Sequence, residues 1–272
     1  MTNYRPGPVS LLAALLVALF LLMPLLAVIP VSLTPTRMLA MPSGELSLRH
    51  YRALIEDPRW LDGILLSIRI GLVSSLFSTI LALAFGLGVW MFQPRFTAWL
   101  VGFVLLPMVV PPVVSAITLY FLLTSISGAN SFFGYDSWAG VAMAHSVMTA
   151  PFAVVLILVS LSQVDRRIDL AARGLGAGVW ARATKIIIPN IKFGIATAAL
   201  LSFVLSWEEI GVTLFITSVN AITLPRLMWM GLRDNIDPSI AAISVILILI
   251  TVAVLVVRTV VQRRSAKAAP AG

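Results

Sequence analysis

Residues 165–194 read DRRIDLAARGLGAGVWARATKIIIPNIKFG, and the layout of the whole chain follows from this stretch. Arg166, Arg167, Arg173, Arg182, Lys185 and Lys192 stand in it against only Asp165 and Asp169, too much charge for a membrane span. Ile168, Leu170, Ala171, Ala172 and Leu175 nevertheless predict one short helix. Gly174, Gly176 and Gly178 then permit a sharp break or a close backbone approach. A second amphipathic helix is expected over about 179–187, ended by Pro189. Two short helices joined by a glycine turn make a compact element that protrudes from whatever flanks it.

What flanks it is apolar. Of 272 residues, 60% are hydrophobic and 11% charged, which excludes an ordinary soluble domain. A spanning helix needs roughly 20 mostly apolar residues. Six stretches qualify, at about 9–33, 62–92, 98–124, 138–162, 191–218 and 240–261, so the chain is expected to be one all-α transmembrane domain over 1–272. The first stretch follows Arg5 as a signal peptide would. It exceeds the roughly 7–15 residue apolar core of one, and is read as a retained span. The formal charge of +8 does not point to nucleic acid, because the basic residues sit in short clusters between spans rather than on one solvated face. With no cysteine, disulfides and thiol chemistry are excluded.

Lys and Arg set the orientation. The loop 163–190 and the tail with Arg263, Arg264 and Lys267 are read as cytoplasmic, which places both termini inside. The loop 34–61 runs against the rule with Arg37, Arg49, Arg52 and Arg59. Within it, Leu46–Trp60 reads as an amphipathic surface helix ended by Pro58. Leu48, Tyr51, Leu54 and Ile55 recur at helical spacing, and His50 falls on the solvated side. Pro107, Pro111 and Pro112 break the third span, either as a bent packing helix or as a pathway helix that flexes.

The spacing of Ala171-Ala172, then Gly176, then Ile186-x-Ile188-Pro189 resembles the EAA loop of binding-protein-dependent ABC importer permeases. The resemblance implies a type I importer permease fold whose loop 163–190 docks in a groove of an ATP-hydrolysing subunit. Asp169, Leu170, Ala171, Ala172, Gly174, Gly176 and Pro189 are then the coupling residues. The family's glutamate falls at Leu170 here, and Asp169 lies one position earlier. One position is a rotation of about 100° on a helix, so Asp169 does not replace it. An apolar, glycine-assisted fit is expected instead of a carboxylate clamp. No G-x-x-x-x-G-K-[ST] phosphate loop occurs, so the chain is expected to be non-catalytic, with ATP and Mg bound by the partner.

Trp207, Glu208 and Glu209 lie well inside the fifth apolar stretch and are the candidate substrate-pathway residues. A charge in a bilayer costs at least ~2.5–3.5 kcal/mol and usually faces a cavity or a partner. Either the acids attract a passing cation, or they pair with a basic residue, for which Arg69 is the candidate within this chain. Trp207 offers a face to a cation or simply packs. His145, without metal-ligand neighbours, reads as a hydrogen-bonded packing residue. SWEEIGVTLFIT (206–217), TLPR (223–226) and DPSIAA (237–242) are similar to the last third of polyamine-type permeases, and AHSVMTAPFAVVLILVSL (144–161) is similar too. This likeness implies a small organic cation as cargo, or otherwise an opine, an aminophosphonate or another small organic solute. It also implies a second homologous permease, two ATPase subunits, a periplasmic binding protein and a place in the bacterial inner membrane. The outer loop 219–239 then lies beside the pathway, or is an interfacial helix anchored by Trp229. A secondary transporter or a structural membrane subunit explains less. The halves show no internal repeat, and neither role needs both the docking loop and the paired acids.

Overall fold

The computed structural model describes residues 7–234 and 237–268, and every regular element among them is helical. In chain order these are α1 (Pro8–Ser32), α2 (Arg49–Glu56), α3 (Pro58–Phe92), α4 (Thr97–Val109), α5 (Pro112–Ser127), α6 (Trp138–Ser162) and α7 (Arg166–Gly174). There follow α8 (Val179–Arg182), a π-turn (Ala183–Ile187), α9 (Ile188–Asn190), α10 (Lys192–Glu208), α11 (Thr213–Ile216), α12 (Leu224–Asp234) and α13 (Ser239–Ala268). The chain divides into two compact units, residues 1–61 with 228–272, and residues 62–227.

In the first unit α13 packs against α1 and α2. Leu12, Leu15, Leu19 and Leu22 of α1 are all exposed, as befits a helix whose solvent is lipid rather than water. Tyr51 Oη and Ser32 Oγ, 2.7 Å apart, tie α2 to the end of α1. His50 corrects the sequence reading: it is buried, with Nε2 3.0 Å from the carbonyl oxygen of Thr36. That carbonyl supplies the partner an interior imidazole needs. Leu54, one turn on, shares the buried face, while Leu48 and Ile55 are exposed. Asp57 pairs with Arg59 at 2.6 Å, and the Arg59 hydrogen bond holds its carboxyl below the ordinary value.

The second unit is built around α6, which α10 and α4 flank. One apolar cluster joins Ile70, Leu119, Leu123, Val141, Val212 and Ile216. Another joins Trp90, Val154, Ile157, Leu161, Ile187 and Ile191. Lipid tails are as apolar as leucine, so burial alone does not hold spanning helices together; small residues and polar bridges do. Ala139, Gly140, Ala142, Ala144 and Ala153 keep the buried side of α6 small. Ser78 Oγ meets Thr149 Oγ1 at 2.7 Å, and a Cβ on Gly194 would collide with the Ser160 side chain, so α10 requires glycine there.

Among the described residues three helices, α1, α3 and α6, are long and apolar enough to span on their own, and the other expected spans are less regular. The third is two helices, α4 and α5, meeting at 99° across Val110 and Pro111. The proline run therefore breaks the helix outright, because Pro111 and Pro112 supply no N–H to continue it. The fifth is interrupted too: α10 stops at Glu208, and Glu209 is extended, with φ −70° and ψ 108°. Ser239–Ala253 is a shorter apolar stretch at the start of α13.

Candidate functional site

The basic loop folds as a hairpin of short helices. Asp165 caps α7 by accepting from Arg167 N at 2.9 Å, and Gly176, at φ +81°, makes the turn in a conformation that side chains disfavour. Asp169 points inward: its Oδ2 accepts from a guanidinium N–H of Arg182 at 3.1 Å, and both side chains are about nine-tenths buried. The rotation expected from the sequence thus has a structural use, since the acid braces α7 against α8 instead of facing a partner. The brace is single-point, with Asp169 Oδ1 and Arg182 Nε left without a hydrogen-bond partner.

The coupling candidates divide accordingly. Asp169 and Ala172 are buried within the hairpin, whereas Leu170, Ala171, Gly174, Gly176 and Pro189 are exposed. Leu175 (90% exposed) and Trp180 (80%) are further exposed apolar residues of the hairpin, outside the expected coupling set. Pro189 does not end the second helix as expected. The helical run Val179–Asn190, widened to a π-turn over Ala183–Ile187, continues through it, and the chain bends by 75° only at Ile191.

The acids stand at the break in the fifth span. Glu208 is the last residue of α10 and is exposed. Glu209 turns back, its Oε1 accepting from Val212 N at 2.8 Å to cap the start of α11. The two are therefore not successive positions of one helix: one carboxylate is free and the other is engaged by backbone. Neither has an ion pair within 4 Å among the described residues. Arg69, the expected partner, instead lies 3.6 Å over the ring of Trp138. Trp207 stacks on Phe203, with centroids 6.1 Å apart. The negative end of the α10 dipole and the Glu208 carboxylate together make this end attractive to cations.

A further acid escaped the sequence reading. Asp136 accepts from the backbone N–H groups of Ser218 (2.7 Å), Val219 (3.0 Å), Asn220 (3.1 Å) and Ala221 (3.2 Å), and so clasps the loop after α11. Burial pushes its carboxyl up, but these hydrogen bonds outweigh burial and hold it below the ordinary value. The separation of more than 80 residues left no local signal. Because the folded value is depressed, the clasp is at full strength above the unfolded value of about 3.9 and is lost as pH falls through the folded value. Asp136→Ala should cost about 2 kcal/mol or more by orphaning these donors. Hydrogen exchange at residues 218–221 of the assembled protein checks this, and the acceleration should be confined to that loop.

Among the described residues no three of His, Asp and Glu are placed to hold a metal ion. A family model described as the binding-protein-dependent transport system inner membrane component matches residues 78–267. The chain is 33% identical over 202 residues to the molybdenum transport system permease protein ModB of Escherichia coli K12, covering 65% of this chain and 81% of that one. It is 25% identical over 243 residues to the putrescine transport system permease protein PotI of the same organism, covering 89% and 86%. The crystal structure of a bacterial ABC transporter involved in the import of the acidic polysaccharide alginate superposes with a TM-score of 0.69 at 15% identity. That match covers 96% of this chain and 99% of that one, and it shows the fold. Apolar spans, a protruding basic hairpin and these likenesses converge: the chain belongs to the family of binding-protein-dependent transport system inner membrane components, and is a permease of an ABC importer with the type I fold.

Proposed function

We propose that this permease passes a small organic cation, such as a polyamine, delivered by a periplasmic binding protein. It does so as one half of a pair of homologous permeases driven by two ATPase subunits. The observation that carries the cargo reading is Glu208, an exposed carboxylate at the open end of α10 with no ion pair among the described residues. A carboxylate and a helix C-terminus reinforce each other for a cation and oppose an anion. Similarity to PotI along most of both chains supports the same reading. The ATPases act through the exposed residues of the 166–190 hairpin, and alternating access follows as it is pushed and released.

A second reading has its own support. The identity to ModB is higher, over a shorter stretch, and favours molybdenum, which in water is carried as an oxyanion. Uptake of labelled putrescine into proteoliposomes bearing the intact complex separates the two. With Glu208→Gln, putrescine uptake should fall roughly tenfold, about 1.4 kcal/mol in the barrier, while the complex still assembles. Unchanged uptake would sink the role of Glu208. A binding protein of the same complex that takes molybdate and ignores putrescine would establish the second reading.

A further inference from the structure

His145 is 1% exposed, yet both of its ring nitrogens are engaged across the break in the fifth span. Nδ1 lies 2.8 Å from Ser206 Oγ, in the last turn of α10, and Nε2 lies 2.9 Å from Thr213 Oγ1, the first residue of α11. Proton directions follow from the neighbours. Thr213 Oγ1 donates to the carbonyl oxygen of Glu209 at 2.9 Å, and a hydroxyl has only one proton to give. Thr213 must therefore accept from Nε2–H. In the neutral ring Nδ1 is then an acceptor, and takes the proton of Ser206. Ser206 in turn accepts from Ser74 Oγ of α3 at 2.8 Å. The result is a single directed chain, from Ser74 through Ser206, His145 and Thr213 to the Glu209 carbonyl, with the Ser74 proton shared between Ser206 and the Gly71 carbonyl oxygen at 3.2 Å.

We propose that His145 is a positioning residue for transport: it splints the break by gripping α10 and α11 at once, and so fixes the direction in which Glu208 is presented. The ring reaches both hydroxyls only when the two helices keep their present relation. A change of angle at the break has to open a buried hydrogen bond, and unpaired polar groups in a membrane interior find no water to replace it. The helix break then has discrete settings instead of flexing freely. The splint rests on the permease assignment, and only its consequence for Glu208 rests on the cation reading.

The chain has no cysteine, so a spin-label pair at Leu200→Cys on α10 and Phe215→Cys on α11, both exposed, reports the geometry across the break without any cargo. In the purified complex the parent pair should give one narrow distance distribution. His145→Leu should broaden it at least twofold and reduce binding-protein-stimulated ATP turnover at least tenfold while basal turnover persists. His145→Gln, which keeps a donor and an acceptor, should recover part of both. A distribution as narrow in His145→Leu as in the parent, or undiminished stimulation, overturns the proposal. Should His145→Leu fail to assemble, Thr213→Val and Ser206→Ala carry the same comparison, and narrow distributions in both overturn it.

Discussion

Asp169→Ala should destabilise the cytoplasmic hairpin by about 3–5 kcal/mol, because it strands the buried Arg182 guanidinium without its counter-charge. The cost of the single variant exceeds the worth of the pair, since an unpaired buried charge is more costly than no charge at all. The companion Asp169→Leu/Arg182→Met variant removes both charges and should recover most of the loss, as apolar replacements of buried pairs commonly do. Two atoms of the present pair already lack hydrogen bonds, which makes such recovery easier. Thermal unfolding of the complex in detergent checks the order: parent and double variant close together, Asp169→Ala several degrees below. A single variant as stable as the parent would mean that the brace carries no weight.

Ala171→Trp should leave the subunit folded and abolish coupling. Ala171 is exposed on the outer surface of α7, so nothing in this chain obstructs a larger side chain there. On the proposed docking of the hairpin against an ATPase subunit, an indole would obstruct the contact, and overpacking a close-fitted contact costs about 1–3 kcal/mol or more. Transport and binding-protein-stimulated ATP turnover should fall at least tenfold, with the permease still inserted in the membrane. Leu175→Asp should act alike, by placing a carboxylate where a 90% exposed leucine now offers an apolar contact. Gly176 is the less decisive choice, because its φ of +81° would strain any side chain whether or not a partner is present. Full coupled activity in both Ala171→Trp and Leu175→Asp would remove this face from the interface.

Three of the expected spans were legible as unbroken helices, α1, α3 and α6, because lipid as solvent imposes a length and a composition on each segment that crosses it. The helical hairpin after α6 was legible because charge, glycine and alanine occur there in an order that spanning segments cannot tolerate. Where the reading went astray, the local rule was sound and a distant partner overruled it. His50 looked solvated until the Thr36 carbonyl gave it a buried partner. Arg69 looked available to Glu209, and the Trp138 ring holds it instead.

By itself the sequence determined that this chain crosses a membrane, which loop protrudes, and which family it resembles, since hydropathy and spacing are properties of neighbours along the chain. Only the tertiary structure decided that Asp169 is a brace, that Glu208 is free while Glu209 is a cap, and that His145 joins the two sides of a break. The brace and the splint depend on which groups meet across 13, 61 and 68 residues of separation, and the Glu209 cap on where α10 breaks; no local pattern encodes which of many possible polar partners a buried atom will find.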